Sequence, residues 1–150
     1  MKGSAQTRIA RPADVVWAMI ADIHLMGSWS PETTAAEWVD GATGAEVGAR
    51  FKGKTRRGLL RWTTTVRVTE CEPGRAFGFV VMAGSHDSTQ WTYRFEPTGD
   101  GGCEVTESYE VLWEPWYQKY VTPDKRRGPQ LDAGMETTLA RLKAVAEAGG

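Results

Sequence analysis

In residues 89–96, which read Thr-Gln-Trp-Thr-Tyr-Arg-Phe-Glu, the aromatic residues Trp91, Tyr93 and Phe95 alternate with polar ones. Successive side chains of a β-strand point to opposite faces of the sheet, so the three aromatic rings share one face. Such alternation is typical of an antiparallel sheet with one buried and one solvated face. A glycine-rich stretch at 97–102 follows and predicts a hairpin into the next strand.

The same period of two recurs along most of the chain. Turn signals such as Asp40-Gly41 and Glu72-Pro73-Gly74 separate the alternating segments. The pattern therefore predicts a curved antiparallel sheet of about seven strands, with strands near residues 6–10, 36–39, 47–54, 60–71, 77–81, 89–96 and 103–111.

Helical spacing appears near both ends of the sequence. Pro12 and Asp14 are typical of a first helical turn, and a second short helix is predicted for 24–29, before Pro31. A long C-terminal helix follows from apolar residues at helical spacing: Leu131, Met135, Leu139, Leu142 and Val145. We therefore expect one α+β domain over residues 1–150, with two short helices after the first strand.

Composition excludes several classes of function. The formal net charge is -1 and the sequence pI is about 6.1, which argues against nucleic-acid binding through bulk charge. No apolar run suits a signal peptide or a membrane span, so we expect a cytoplasmic protein without integral membrane association. Cys71 and Cys103 are far apart in sequence and are expected to be reduced thiols.

Metal and cofactor chemistry find little support in the sequence. His24 and His86 are widely separated, and no HxH or CxxC pattern is present, so we predict neither a metal nor a cofactor. Covalent catalysis lacks a GxSxG elbow or a Cys–His arrangement. His24 is expected on a solvent-facing helix surface, with a place at a cavity mouth as the alternative, and His86 is expected at a hairpin tip.

The predicted layout implies an internal cavity. A strongly curved sheet cannot lie flush along a straight helix, so one end of the gap must hold other elements, water or a ligand. The seven tryptophans suit such a roomy interior, although extra core packing accounts for any single one equally well. The two short helices and the aromatic segment 113–120 are the available lids.

Five segments carry a family resemblance: residues 9–17, 29–32, 48–53, 72–77 and 91–96. Together with the order of strand, two helices, six strands and long final helix, they resemble bacterial members of the polyketide cyclase/dehydrase branch of the START-like (SRPBCC) superfamily. The resemblance implies the helix-grip fold, also called START/Bet v 1-like. It also implies a cavity for a hydrophobic ligand between sheet and last helix, opened near the N-terminal half of that helix. Gly27-Ser28-Trp29 matches the GxW of lipocalins, a minor alternative that Pro31 disfavours.

Alternation and helical spacing select candidate ligand-binding residues on the inward faces. For each of them, plain core packing is the competing interpretation. The candidates on the sheet and the last helix are Phe51, Trp62, Thr64, Phe79, Val81, Trp91, Tyr93, Val105, Glu107, Tyr109, Leu131, Met135 and Leu139, with Trp29 and Trp113 from the lids.

Glu107 is the most informative candidate, because alternation with Val105 and Tyr109 turns its carboxylate inward. A buried carboxylate must be paired or protonated, and Tyr93, Thr64 or a basic residue near the mouth are the expected partners. One hypothesis gives Glu107 a catalytic role in enolisation or cyclisation, with Tyr93 or Tyr109 assisting. The alternatives are a structural hydrogen bond or a bulge that turns it outward.

Basic residues cluster between Arg50 and Arg61: Arg50, Lys52, Lys54, Arg56, Arg57 and Arg61. We interpret the cluster first as a solvated sheet face that discourages edge association, and second as a surface for an anionic partner.

Three functions remain open at this point. The first is a carrier or sensor of a lipid, polyketide or other aromatic compound, and the second is a cyclase or dehydratase acting on such a compound. The third is a protein-interaction module of the chaperone-activator type, using the basic face. The sequence names no ligand and leaves monomer and homodimer open.

Overall fold

The alternating segments form one curved antiparallel sheet in the computed structural model, which describes residues 1–117 and 124–149. Its seven strands are β1 (Lys2–Ile9), β2 (Thr33–Val39), β3 (Arg50–Arg57), β4 (Leu60–Glu72), β5 (Ala76–Ala83), β6 (His86–Pro97) and β7 (Cys103–Val111). The strand order is β1-β7-β6-β5-β4-β3-β2. Strands β2 to β7 are therefore successive neighbours, and β1 joins the far edge beside β7.

Within residues 1–117 and 124–149, three α-helices accompany the sheet: α1 (Ala13–Ala21), α2 (Met26–Trp29) and the long α3 (Asp124–Ala148). Between α1 and α2, residues Ile23–Leu25 form a single 3-10 turn. These short helices carry the chain from β1 to β2, at opposite edges of the sheet, while α3 packs against β1 and β7. The expected helix-grip architecture is thereby confirmed.

Several boundaries differ from the sequence prediction. β1 begins at Lys2, because its polar first half pairs residue by residue with β7, from Lys2 opposite Glu110 onward. β3 begins at Arg50, since Gly48 adopts a φ of +92°, which interrupts an extended strand. α3 begins upstream of Leu131, at residue 124.

The prediction that Val145 belongs to the apolar stripe on α3 is wrong. Val145 is exposed, and Ala146 is buried in its place. The buried apolar residues among those described on α3 fall at 131, 135, 139, 142 and 146, which keeps a single stripe on a helix with 3.6 residues per turn.

One end of the space between α3 and the sheet is filled by side chains. Ile9, Phe95, Val105, Leu139 and Leu142 are almost completely buried there and belong to one hydrophobic cluster. This closed end anchors α3 on the sheet and leaves the other end of the interior for the candidate site.

Candidate functional site

A cavity of about 480 Å³ lies between the sheet, α2 and α3. Its volume falls in the range of about 300–1,000 Å³ that is usual for small-molecule sites. Its wall combines aromatic and aliphatic side chains with a few polar groups. Eleven of the residues selected from the sequence lie in this wall: Trp29, Phe51, Trp62, Thr64, Phe79, Val81, Trp91, Tyr93, Glu107, Leu131 and Met135.

Glu107 and Tyr93 form the most deeply buried polar pair in the cavity wall. They lie directly opposite each other on β7 and β6, which brings both side chains to the same face. The Tyr93 hydroxyl donates a hydrogen bond of 2.7 Å to Oε2 of Glu107. The second carboxyl oxygen, Oε1, is buried and has no hydrogen-bond partner among the described residues.

Burial controls the protonation of this pair. Loss of solvation raises the pKa of Glu107 to about 8, although the hydrogen bond from Tyr93 lowers it in part. Burial, the nearby carboxyl charge and the same hydrogen bond raise the pKa of Tyr93 well above its ordinary value. At neutral pH both groups are thus mainly protonated, and Glu107 can act as a donor as well as an acceptor.

An ion pair spans the cavity wall between α3 and the segment that follows α2. Arg127 on α3 donates from Nη1 and Nη2 to the two carboxylate oxygens of Glu32, at 3.0 and 3.1 Å. The Glu32 carbonyl also accepts a hydrogen bond from the backbone N–H of Arg56, which attaches this segment to β3. Because both charged residues line the cavity, this pair ties the helix to the sheet at the cavity's polar side.

Four candidates selected from the sequence do not line the cavity. Val105 and Leu139 are fully buried in the closed end, where they contact the hydrophobic cluster instead. Their inward orientation follows the expected alternation and helical spacing. Their position along the strand and helix, however, places them beyond the empty volume.

Tyr109 also lies outside the cavity wall, although it faces the same side of the sheet as Glu107. Its ring packs with Leu131 and Met135 and over Gly3 of β1, where an added Cβ would come within 2.9 Å of the ring. The space that would expose Tyr109 to a ligand is therefore filled by β1 and α3. A role for Tyr109 in acid–base chemistry has no geometric support.

Trp113 turns away from the cavity. Its ring stacks on His86 with centroids 3.8 Å apart, and its backbone N–H and carbonyl bind Ser88. His86 therefore does more than cap a hairpin, since it covers one face of this tryptophan. Of the other residues of the predicted aromatic lid, Glu114 and Pro115 line the cavity and Trp116 and Tyr117 are exposed. Residues 118–120 lie outside the described residues.

His24 and the basic cluster are also now placed. His24 is exposed beside Asp22 and does not line the cavity. Arg50, Lys52, Lys54 and Arg56 are exposed along one face of β3, as predicted for a solvated face. Arg57 belongs to the opposite face, where it lines the cavity and lies 5.8 Å from the Trp62 ring centroid.

Several wall residues were not selected from the sequence. Thr138 lies three residues after Met135 on the buried side of α3, so helical spacing would have found it. Gly53 lies two residues after Phe51 on the same strand, so alternation would also have found it. A Cβ there would lie 3.3 Å from Thr64 Oγ1. Glu32 and Arg127 are 95 residues apart, and no local pattern relates them.

No group of three or more His, Cys, Asp or Glu side chains within 1–117 and 124–149 is placed to hold a metal ion. Over the same part of the chain, no helix is both long and apolar enough to cross a membrane.

The sequence matches a known protein family over nearly its whole length. The profile of the family described as polyketide cyclase / dehydrase and lipid transport matches residues 1–147. The chain belongs to this family. A comparison with curated proteins gave no significant match. Family membership and architecture together mean that the fold is one that binds hydrophobic ligands.

Two solved structures resemble the chain over nearly its full length. The Polyketide_cyc-like protein Cgl2372 of Corynebacterium glutamicum is 30% identical, with a TM-score of 0.65, covering 99% of this chain and 92% of that one. DR_A0006 of Deinococcus radiodurans is 18% identical, with a TM-score of 0.72 and full coverage of both chains.

A third structure is the di-domain ARO/CYC BexL from the BE-7585A biosynthetic pathway. It is 16% identical with a TM-score of 0.70, and the match covers 96% of this chain and 45% of that one. At this identity the likeness concerns the fold alone.

Proposed function

We propose that this protein is a carrier of a small hydrophobic molecule that bears one hydroxyl or carbonyl group. The observation behind the proposal is a largely apolar cavity of about 480 Å³ that contains one buried carboxyl group with an unpartnered oxygen. The apolar wall contributes affinity through burial of the ligand's surface. The carboxyl group contributes orientation, because a ligand's polar atom placed at Oε1 of Glu107 would complete its hydrogen bonding.

The protonation state of Glu107 widens the range of suitable ligands. With a pKa of about 8, the carboxyl is mainly neutral at pH 7 and donates to a ligand carbonyl or accepts from a ligand hydroxyl. A negatively charged ligand head would gain less from this site, since the carboxyl could become a like charge. Neutral aromatic alcohols and ketones, including polyketides, therefore suit the cavity best.

Binding of 1-naphthol and naphthalene, followed by NMR titration, tests this proposal. The two probes share one aromatic skeleton, and only 1-naphthol carries a hydroxyl. We expect the wild-type protein to bind 1-naphthol roughly three- to tenfold more tightly, the value of one net hydrogen bond. In Glu107→Leu this preference should vanish while naphthalene still binds.

A cavity-filling variant supplies the second half of the test. Val81→Trp adds bulk in the cavity wall and should abolish binding of both probes. Val47→Trp adds the same bulk at an exposed site outside the wall and should bind both as the wild type does. Equal loss of binding in both variants, or retained binding in Val81→Trp, would refute the cavity as the binding site.

A second candidate function, cyclase or dehydratase, is favoured by one observation. A carboxyl group that is still protonated near pH 7 can give its proton to a carbonyl oxygen while an enol carbon of the same molecule attacks the carbonyl carbon and forms a carbon–carbon bond. The resulting carboxylate then takes the proton that the enol hydroxyl releases, which restores the acid. Loss of the resulting hydroxyl as water would complete a dehydrative cyclisation. Incubation with a linear poly-β-ketone and mass spectrometry for a product lighter by one water decides between turnover and binding alone. If the protein is an enzyme, the dehydrated product should no longer form with Glu107→Gln.

A further inference from the structure

The hairpin between β3 and β4 ends in two exposed leucines. Leu59 is fully exposed at the turn, and Leu60, the first residue of β4, is 63% exposed. Trp62 follows on the same strand and is 39% exposed. Single exposed apolar residues are common on soluble proteins. Two adjacent leucines at the apex of a projecting hairpin, with a half-exposed tryptophan below them, are a more specific feature.

Arginines flank this apolar apex. Arg56 and Arg61 lie directly opposite each other across the hairpin, an arrangement of like charges that destabilises a strand pair. Arg57 lies opposite Leu60. Within the described part of the chain, none of the three arginines forms an ion pair with a carboxylate. The hairpin therefore presents positive charge without an internal counterion.

We propose that residues 56–62, the β3–β4 tip, dock on an anionic lipid surface. The order of the side chains along the tip matches the layers of such a surface. The leucines at the apex would enter the acyl boundary, Trp62 suits the interface, and the arginines would meet anionic headgroups. A narrow convex apex offers little of the ~800 Å² that a stable protein partner covers on each side.

The tip also forms part of the cavity rim. Arg57 and Trp62 both line the cavity, so a docked tip would hold the cavity beside the bilayer. A hydrophobic ligand could then pass between membrane and cavity with little exposure to water. The proposed docking depends only on the residues of the β3–β4 tip and does not require the carrier function. The naphthol titration tests the carrier function separately.

Sedimentation with lipid vesicles tests the docking, using phosphatidylcholine vesicles with and without phosphatidylglycerol. We expect the full-length protein to bind the vesicles that contain phosphatidylglycerol. Salt should release it, because exposed charges are screened over a Debye length of about 10 Å at 0.1 M. Leu59→Glu/Leu60→Glu should weaken binding at least about tenfold, because the apex then meets the bilayer with negative charge. Arg56→Gln/Arg61→Gln should weaken it roughly fivefold for each arginine removed.

Val47→Glu is the matched control, since Val47 is equally apolar, is 66% exposed and precedes β3 at its opposite end. It should bind vesicles like the wild type, and circular dichroism should show all variants folded. Absence of vesicle binding by the wild type, or binding that the tip variants retain, would overturn the proposal. Self-association without lipid that Leu59→Glu/Leu60→Glu abolishes would also overturn it, because the apex would then belong to an interface between copies.

Discussion

Glu107 makes the stability of the folded chain depend on pH. Its pKa is about 8 in the folded state against 4.5 for the ordinary side chain, so the folded state binds the proton more strongly. This contribution to the free energy of unfolding is fully present below pH 4.5. It is lost as pH rises to about 8, by an amount on the order of 4 kcal/mol.

Glu107→Gln should remove this part of the pH dependence, because an amide does not titrate. Urea unfolding near pH 4.5 and near pH 8 measures it for both proteins. Glu104→Gln is the control, since Glu104 is exposed on the same strand and should leave the profile unchanged. A parallel pH profile for wild type and Glu107→Gln would contradict the buried, protonated carboxyl.

Tyr93→Phe isolates the hydrogen bond within the pair. The bond from Tyr93 favours the charged form of Glu107, so its removal should move the pKa of Glu107 further above 8. It should also destabilise the protein by about 1–3 kcal/mol, since Oε2 is left buried without its donor. A carbon-detected NMR titration of the Glu107 carboxyl measures the shift, and Tyr117→Phe, at an exposed tyrosine, should leave it unmoved. A lower pKa of Glu107 in Tyr93→Phe would contradict a hydrogen bond that favours the charged carboxylate.

Alternation along β7 was enough to predict that Glu107 points inward, because burial of Val105 and Tyr109 on either side fixes the face. The hydrogen-bond partner of Glu107 was harder to predict. The sequence offered Tyr93, Thr64 or a basic residue, and only the β6–β7 register, which places Tyr93 opposite Glu107, distinguishes among them. Register depends on pairing between strands and has no signature within either strand.

At the scale of elements, α2 rests on β2 through a glycine. A Cβ at Gly27 would lie 2.3 Å from the carbonyl oxygen of Thr34, so the backbones of α2 and β2 approach too closely for any side chain. Gly27→Ala should therefore force the two elements apart and destabilise the fold by about 1–3 kcal/mol. Thermal unfolding measures the loss.

Gly44→Ala is the matched control, because nothing lies within 4 Å of the added Cβ there. It should leave the melting temperature close to that of the wild type. An equally mild effect of Gly27→Ala would show that α2 can shift away from β2 without cost. The cavity wall contributed by Trp29 would then be less firmly placed than the contact indicates.

Element types were predictable because their periods differ, two for the strands and 3.6 for α3. Boundaries were less so. The predicted strand 47–54 begins three residues too early, because the positive φ of Gly48 keeps residues 47–49 out of β3. Arg57 falls between the predicted strands 47–54 and 60–71, although the alternation of Phe51 and Gly53, continued to residue 57, places it on the cavity face. The ion pair between Glu32 and Arg127 needed the packing of α3, which no local pattern encodes.

At the scale of the molecule, a ligand that occupies the cavity should stabilise the whole fold. A compound that binds only the folded state raises its stability by about 2.7 kcal/mol at a free concentration of 100 times Kd. For a chain of 150 residues this corresponds to a rise in Tm of about 5–11 °C. Calorimetry with increasing 1-naphthol measures it, and Val81→Trp should show no rise. A rise of equal size in that variant would place the binding elsewhere.

The existence of a cavity followed from geometry that the sequence already implied, a bent sheet against a straight helix. Its extent did not. Val105 and Leu139 have the same inward parity as Phe79 and Met135, yet they fill the closed end while the latter two border empty space. Which end closes depends on how all the side chains pack together, and that is a property of the assembled molecule.

Gly53 has a consequence for how this architecture can diversify. It stands in the wall of the cavity with a hydrogen atom where its neighbours carry side chains, and its backbone is not among those with positive φ. The backbone of β3 therefore accepts a larger residue there once the Thr64 hydroxyl, 3.3 Å from the added Cβ, shifts slightly, and that residue would reduce the room for a guest. Selectivity between long and short guests can then change through a single codon in β3, without any alteration of the scaffold.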